Sequence, residues 1–110
     1  AGFSQGGAIA LFAGVRHPDR LAGILALSTY LVCEESLDQE RHEANAATPI
    51  FQAHGDHDPM VGVERGRAAA DALIAREYRL DFRTYPMPHA VHPEEIADIG
   101  EWLASALLQD

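Results

Sequence analysis

The sequence predicts an α/β protein with three layers, a mostly parallel sheet flanked by helices. Two observations carry this expectation. Short apolar or β-branched runs alternate with segments whose apolar residues recur at helical spacing. One of those runs, Leu21 to Ser28, is apolar almost throughout, as a strand covered on both faces must be.

The elements follow in order. Gln5 to Arg16 reads as a helix, since Ala8, Ile9, Leu11, Phe12 and Val15 form one stripe and His17-Pro18 ends it. Leu21 to Ser28 is the strand just described. Glu34 to Ala47 is acidic and aperiodic, which predicts a surface loop with at most one helical turn and solvated charges. Pro49 to His54 is a second strand, broken by Gly55-Asp56-His57-Asp58-Pro59. Val63, Ala70, Leu73 and Ile74 mark the next helix, and Phe82 to Met87 the next strand. Ile96, Ile99, Trp102, Leu103, Ala106 and Leu107 make a last amphipathic helix. Pro93 suits its first turn, where a missing N–H costs nothing, and His92 suits its cap.

Composition narrows the function. With 47% hydrophobic and 23% charged residues, the chain can build a core. Its longest apolar run falls well short of the ~18 residues of a membrane span. Eight scattered basic residues and a net charge of −9 argue against nucleic acid, which is held by clustered Lys and Arg. The single Cys33 forms no intrachain disulfide, in keeping with a reducing, cytoplasmic setting. A homodimer is compatible with these patterns.

Gly2-Phe3-Ser4-Gln5-Gly6 matches G-x-S-x-G, a strained turn between a strand and a helix that exposes a nucleophilic serine. Gly2 and Gly6 would allow the backbones to approach closely around it. The helix that starts after Ser4 aims backbone donors at developing negative charge, so the Gln5 N–H is a candidate oxyanion donor. The plainer role of Ser4 is an ordinary helix cap. The order serine, acid, histidine places the acid in the loop after Ile50–His54, where Asp58 and Asp56 compete as turn-forming residues. His89 follows a strand and precedes a helix, from where an imidazole can reach both serine and acid. His54, Asp56, His57 and Asp58 also cluster, but their spacing suits no metal site, and none is expected.

Taken together, Gly2-Phe3-Ser4-Gln5-Gly6-Gly7, Leu27-Ser28-Thr29-Tyr30, His54-Gly55-Asp56-His57-Asp58-Pro59-Met60-Val61 and Tyr85-Pro86-Met87-Pro88-His89 resemble the phospholipase/carboxylesterase family. That family has the three-layer α/β-hydrolase fold and includes acyl-protein thioesterases and small carboxylesterases. The resemblance implies Ser4 as nucleophile, Asp58 rather than Asp56 as acid, His89 as base and Gln5 N–H as oxyanion donor. It implies Tyr30 and Leu31 as substrate contacts, a small acyl ester as substrate, and no cofactor. Pro88 departs from the glycine usual before the histidine, which puts the His89 loop in question.

Relatives of this kind run to about twice the length, so residues 1–110 correspond to the C-terminal part of a single α/β-hydrolase domain. The N-terminal strands and the loop with the other oxyanion amide are expected to belong to a missing N-terminal half. The function expected is ester hydrolysis through a Ser-His-Asp triad and an acyl-enzyme. The alternatives are an acyl-protein thioesterase or lysophospholipase activity, or an inactive fragment needing that half.

Overall fold

In the computed structural model, which describes residues 1–108, a four-stranded sheet carries helices on both faces. The strands are β1 (Gly2–Phe3), β2 (Ile24–Leu27), β3 (Ile50–Gly55) and β4 (Leu80–Tyr85). The helices are α1 (Gln5–Arg16), α2 (Leu37–Glu40), α3 (Val63–Ala75) and α4 (Pro93–Leu107). Spatial order equals chain order, and every pairing is parallel. Parallel pairing of consecutive strands requires crossovers, which α1, the 28–49 segment and α3 supply.

Alternation along the strands divides the core in two. Ile24, Ala26 and Ile50 point to one side and pack with Leu11 and Val15 of α1, Leu37 of α2 and Leu73 of α3. Phe51 and Ala53 point to the other, with Leu25, Leu27, Tyr85 and Met87, where Ile99 and Trp102 of α4 meet them. All four strands stop at one end of this sheet, so the loops that follow them leave on the same side, where sheets of this kind place their ligand sites.

The strand expected at Leu21–Ser28 is shorter and less covered than its sequence suggests. Leu21 gives its N–H to the Asn45 side chain rather than to a strand, and Ser28 turns to a positive φ of 51°, which ends the extended run. Within Ile24–Leu27 only Ile24 and Ala26 are buried, since three helices lie on that side and α4 alone on the other. The strand buried on both faces is β3, at every position. The strand expected at Phe82–Met87 begins two residues earlier, because Leu80 pairs with Ile50 and carries the register to Gly55–Tyr85.

The segment read as a solvated loop is structured. Leu37 is fully buried and Asn45 is too. Burying one leucine is worth about 1.5–3 kcal/mol, enough to hold α2 against the core. Asn45 gives its amide to the carbonyls of His17 and Asp19 and accepts from Leu21 N and Thr48 Oγ1, which fastens the α1–β2 loop to the α2–β3 loop. Two of the segment's acids form close ion pairs: Glu40 meets Arg16 at 2.7 Å, and Asp38 meets Arg76 at 2.8 Å.

Candidate active site

Ser4 joins β1 to α1 at φ 57° and ψ −120°, a conformation that costs a residue with a Cβ on the order of 1–3 kcal/mol. Its neighbours over-determine it. The Ser4 N–H donates to Leu27 O at 2.8 Å, its carbonyl accepts from Thr29 Oγ1 at 2.5 Å, and Ala8 N–H bonds the same carbonyl at 3.1 Å. Strand and helix converge so tightly that a Cβ on Gly2 would lie 2.1 Å from Gly6 O. Gly6 itself has open space around it among the described residues. The second close approach is at Gly7, whose Cβ would meet Thr29 Cβ at 2.8 Å, because Gly7 and not Gly6 turns toward the end of β2.

The Ser4 side chain makes no cap bond to α1, which removes the helix-cap reading. Its Oγ lies 3.0 Å from His89 Nε2. On the other side of the ring, His89 Nδ1 lies 2.6 Å from Asp58 Oδ2. A carboxylate only accepts, so Nδ1 carries the hydrogen and Nε2 is free to accept from the serine hydroxyl. Residues separated by most of the chain are brought into one hydrogen-bonded line.

Asp58 follows β3 and is held by its own turn. Met60 N–H and Val61 N–H donate to Oδ1 at 2.9 and 2.8 Å. Burial of the side chain pushes the carboxyl up, but those two amides and the His89 ring outweigh it and hold the group below its ordinary value. Asp58 is therefore an anion at neutral pH, as an orienting partner of an imidazole must be. Asp56 is exposed and its N–H is engaged by Tyr85 O, so the two competing aspartates have separate environments.

The His89 loop is stitched to the Asp58 loop by Asp56 N–H to Tyr85 O at 2.9 Å and His57 N–H to Met87 O at 3.1 Å. Gly55 permits the contact, since a Cβ there would come to 2.3 Å from Met87 O and 2.4 Å from Pro88 O. Pro88 leaves this geometry intact, because the loop's bonds use its carbonyl and its neighbours' groups, never the N–H it lacks. From below, His92 caps α4: its Nδ1 accepts from Glu94 N–H, and Glu95 Oε1 accepts from His92 N–H. Phe3 leans on the His89 ring with centroids 4.9 Å apart. Its place inside the G-x-S-x-G motif was the available signal for that contact.

Gln5 opens α1, so its N–H is among the first helical donors, which have no intrahelical acceptor. Tyr30 lies under the Arg65 guanidinium of α3, 4.3 Å from the ring centre, and the half-buried Leu31 packs against the edge of the core. His54 is fully buried and His57 exposed, and among the described residues no three metal-ligating side chains converge.

A family model described as phospholipase/carboxylesterase matches residues 1–107, nearly the whole chain. The chain belongs to the phospholipase/carboxylesterase family. Acyl-protein thioesterase 1 of Mycosarcoma maydis is 40% identical over 111 residues, covering 96% of this chain and 46% of that protein. The Neurospora crassa protein of the same name is 43% identical over 109 residues, covering 96% and 44%. Among solved structures, Arabidopsis thaliana SOBER1 superposes with a TM-score of 0.91 at 33% identity, covering 96% of this chain and 51% of that one. Zea mays acyl-protein thioesterase 2 gives 0.85 at 26%, covering 96% and 54%. This family member therefore has part of the α/β-hydrolase fold, and it spans about half the length of the curated relatives it matches.

Proposed function

We propose that the protein hydrolyses carboxylic esters through an acyl-enzyme formed on Ser4. The observation that carries this reading is the line from Ser4 Oγ through His89 to the Asp58 carboxylate, with contacts of 3.0 and 2.6 Å. Ser4 Oγ attacks the carbonyl carbon while His89 Nε2 takes the hydroxyl proton, and Asp58 steadies the imidazolium that results. The Gln5 N–H donates to the oxyanion of the tetrahedral intermediate. On its collapse the C–O bond to the alcohol breaks, and His89 returns the proton to the departing oxygen. Water, activated by the same imidazole, then releases the acid and restores Ser4.

A thioester is the second reading, supported by relatives named acyl-protein thioesterases. The same attack applies, with a thiol as leaving group. Tyr30, beside the Thr29 that braces Ser4, and the half-buried Leu31 next to it are the substrate contacts this proposal retains. The exposed, unpaired Cys33 suits a reducing compartment such as the cytoplasm.

The experiment treats the intact protein with an organophosphonate and then assays matched acyl p-nitrophenyl esters and acyl thioesters. Label on Ser4 and loss of hydrolysis are expected, and the faster substrate class separates the two readings. Undiminished hydrolysis after stoichiometric labelling elsewhere would overturn the assignment of Ser4.

A further inference from the structure

Asp58 is gripped from a second direction that the hydrolytic line does not use. His54 lies near the end of β3, on the face covered by α3, with its ring wholly buried. Gly66 of α3 packs so close that a Cβ there would come to 2.4 Å from His54 Nδ1. His54 Nε2 lies 2.8 Å from Val61 O, and since a carbonyl only accepts, the hydrogen sits on Nε2. Nδ1 has no partner among the described residues. Burying a polar ring with one nitrogen unsatisfied is unfavourable relative to an apolar residue of similar size, so the position calls for an explanation.

The bonds around Val61 give one. Val61 donates to Asp58 Oδ1 at 2.8 Å while its carbonyl takes the His54 hydrogen, so His54 clamps the end of the turn that Asp58 closes. The same Nε2 lies 3.6 Å from Asp58 Oδ2, the oxygen that accepts from His89. We propose that His54 is a positioning residue which, through its bond to the Val61 carbonyl, fixes the rotation of the Asp58 carboxylate toward His89. The inference rests on the roles assigned above to Asp58 and His89.

Three substitutions in the intact protein test it. His54→Gln places an amide N–H where Nε2 stands. His54→Asn falls short of Val61 O, and His54→Leu fills the space without a donor. Ester hydrolysis gives kcat and KM, and the low-field proton resonance of His89 Nδ1–H reads the bond to Asp58 directly. His54→Leu and His54→Asn are expected to lower kcat about ten- to a hundredfold at unchanged KM and to displace or broaden that resonance. His54→Gln is expected to recover most of the loss.

A folded His54→Asn variant with wild-type kcat and an unshifted resonance would overturn the proposal. So would a His54→Gln variant no better than His54→Asn, which would leave only a packing role. Should His54→Leu fail to fold, the Gln and Asn pair still decides. If the wild-type protein hydrolyses no ester and Ser4 takes no label, the proposed function fails, yet the resonance still tests whether His54 holds Asp58.

Discussion

Ser4 is an instance of a residue whose role is set by what its side chain cannot do. At φ 57° its hydroxyl is turned away from the helix amides it would otherwise cap and toward the His89 ring. Because serine, histidine and aspartate act as one unit in this mechanism, Ser4→Ala, His89→Ala and Asp58→Asn are each expected to lower kcat by about 10³-fold or more. Asp56→Asn should change it by less than about tenfold, since Asp56 enters through its backbone alone. A larger loss from Asp56→Asn than from Asp58→Asn, in the same assay, would reverse the assignment of the acid. The turn itself depends on Gly2. With only 2.1 Å from an added Cβ to a backbone oxygen, Gly2→Ala must move strand or helix, and a destabilisation of about 1–3 kcal/mol or more by denaturant titration is expected.

At the scale of the element, α4 shows how a pattern can name a helix and still misplace its buried face. Ile96 and Leu107 belong to the apolar stripe but are 59% and 67% exposed, while Glu95 is buried at 1%. The cap decides this: Glu95 turns back to take the His92 N–H, so its side chain is drawn under the loop that carries His89. Burial raises the Glu95 carboxyl above its usual 4.5, only partly offset by the His92 N–H and nearby histidines. A folded-state value above the unfolded one means that the native protein binds the extra proton. The benefit is complete below pH 4.5 and is lost as pH rises through the raised value. Asp58 runs the other way: its contribution is present above the usual 3.8 and is lost as pH falls through its lowered value. Glu95→Gln keeps the cap acceptor without the charge. Melting temperatures measured from pH 4 to 8 should therefore diverge in favour of the variant as pH rises. Parallel curves for the two proteins would show that Glu95 is not ionised against its surroundings.

At the scale of the whole, the described residues form a sheet with two open edges. Among the described residues, β1 pairs only with β2, and β4 only with β3. Phe3, Ile9, Leu103 and Leu107 stand exposed on β1, α1 and α4. Unpaired strand groups beside apolar surface invite association. Residues 1–110 expressed alone are thus expected to self-associate and to bind a hydrophobic dye. A monodisperse monomer by size-exclusion chromatography with light scattering, and no dye binding, would contradict this.

The order of α1, β2, β3, α3, β4 and α4, the turn at Ser4 and the cap at His92 were legible because each rests on local rules: period, helix-start chemistry and glycine or proline punctuation; β1, expected to lie in the missing half, and α2, inside a segment read as a loop, were not. The family was legible from four short motifs in sequence. The burial of Leu37, Asn45 and Glu95 was not, since a polar or aperiodic segment becomes interior only when distant elements close over it. Nor could local rules separate Asp58 from Asp56, or show that Gly7 rather than Gly6 meets Thr29. Those follow from the parallel register that aligns the ends of β1, β2, β3 and β4. Sequence determined which residues were available for the chemistry, and tertiary structure decided which of them meet, because hydrogen-bond distances between residues far apart in the chain are set by packing and not by spacing.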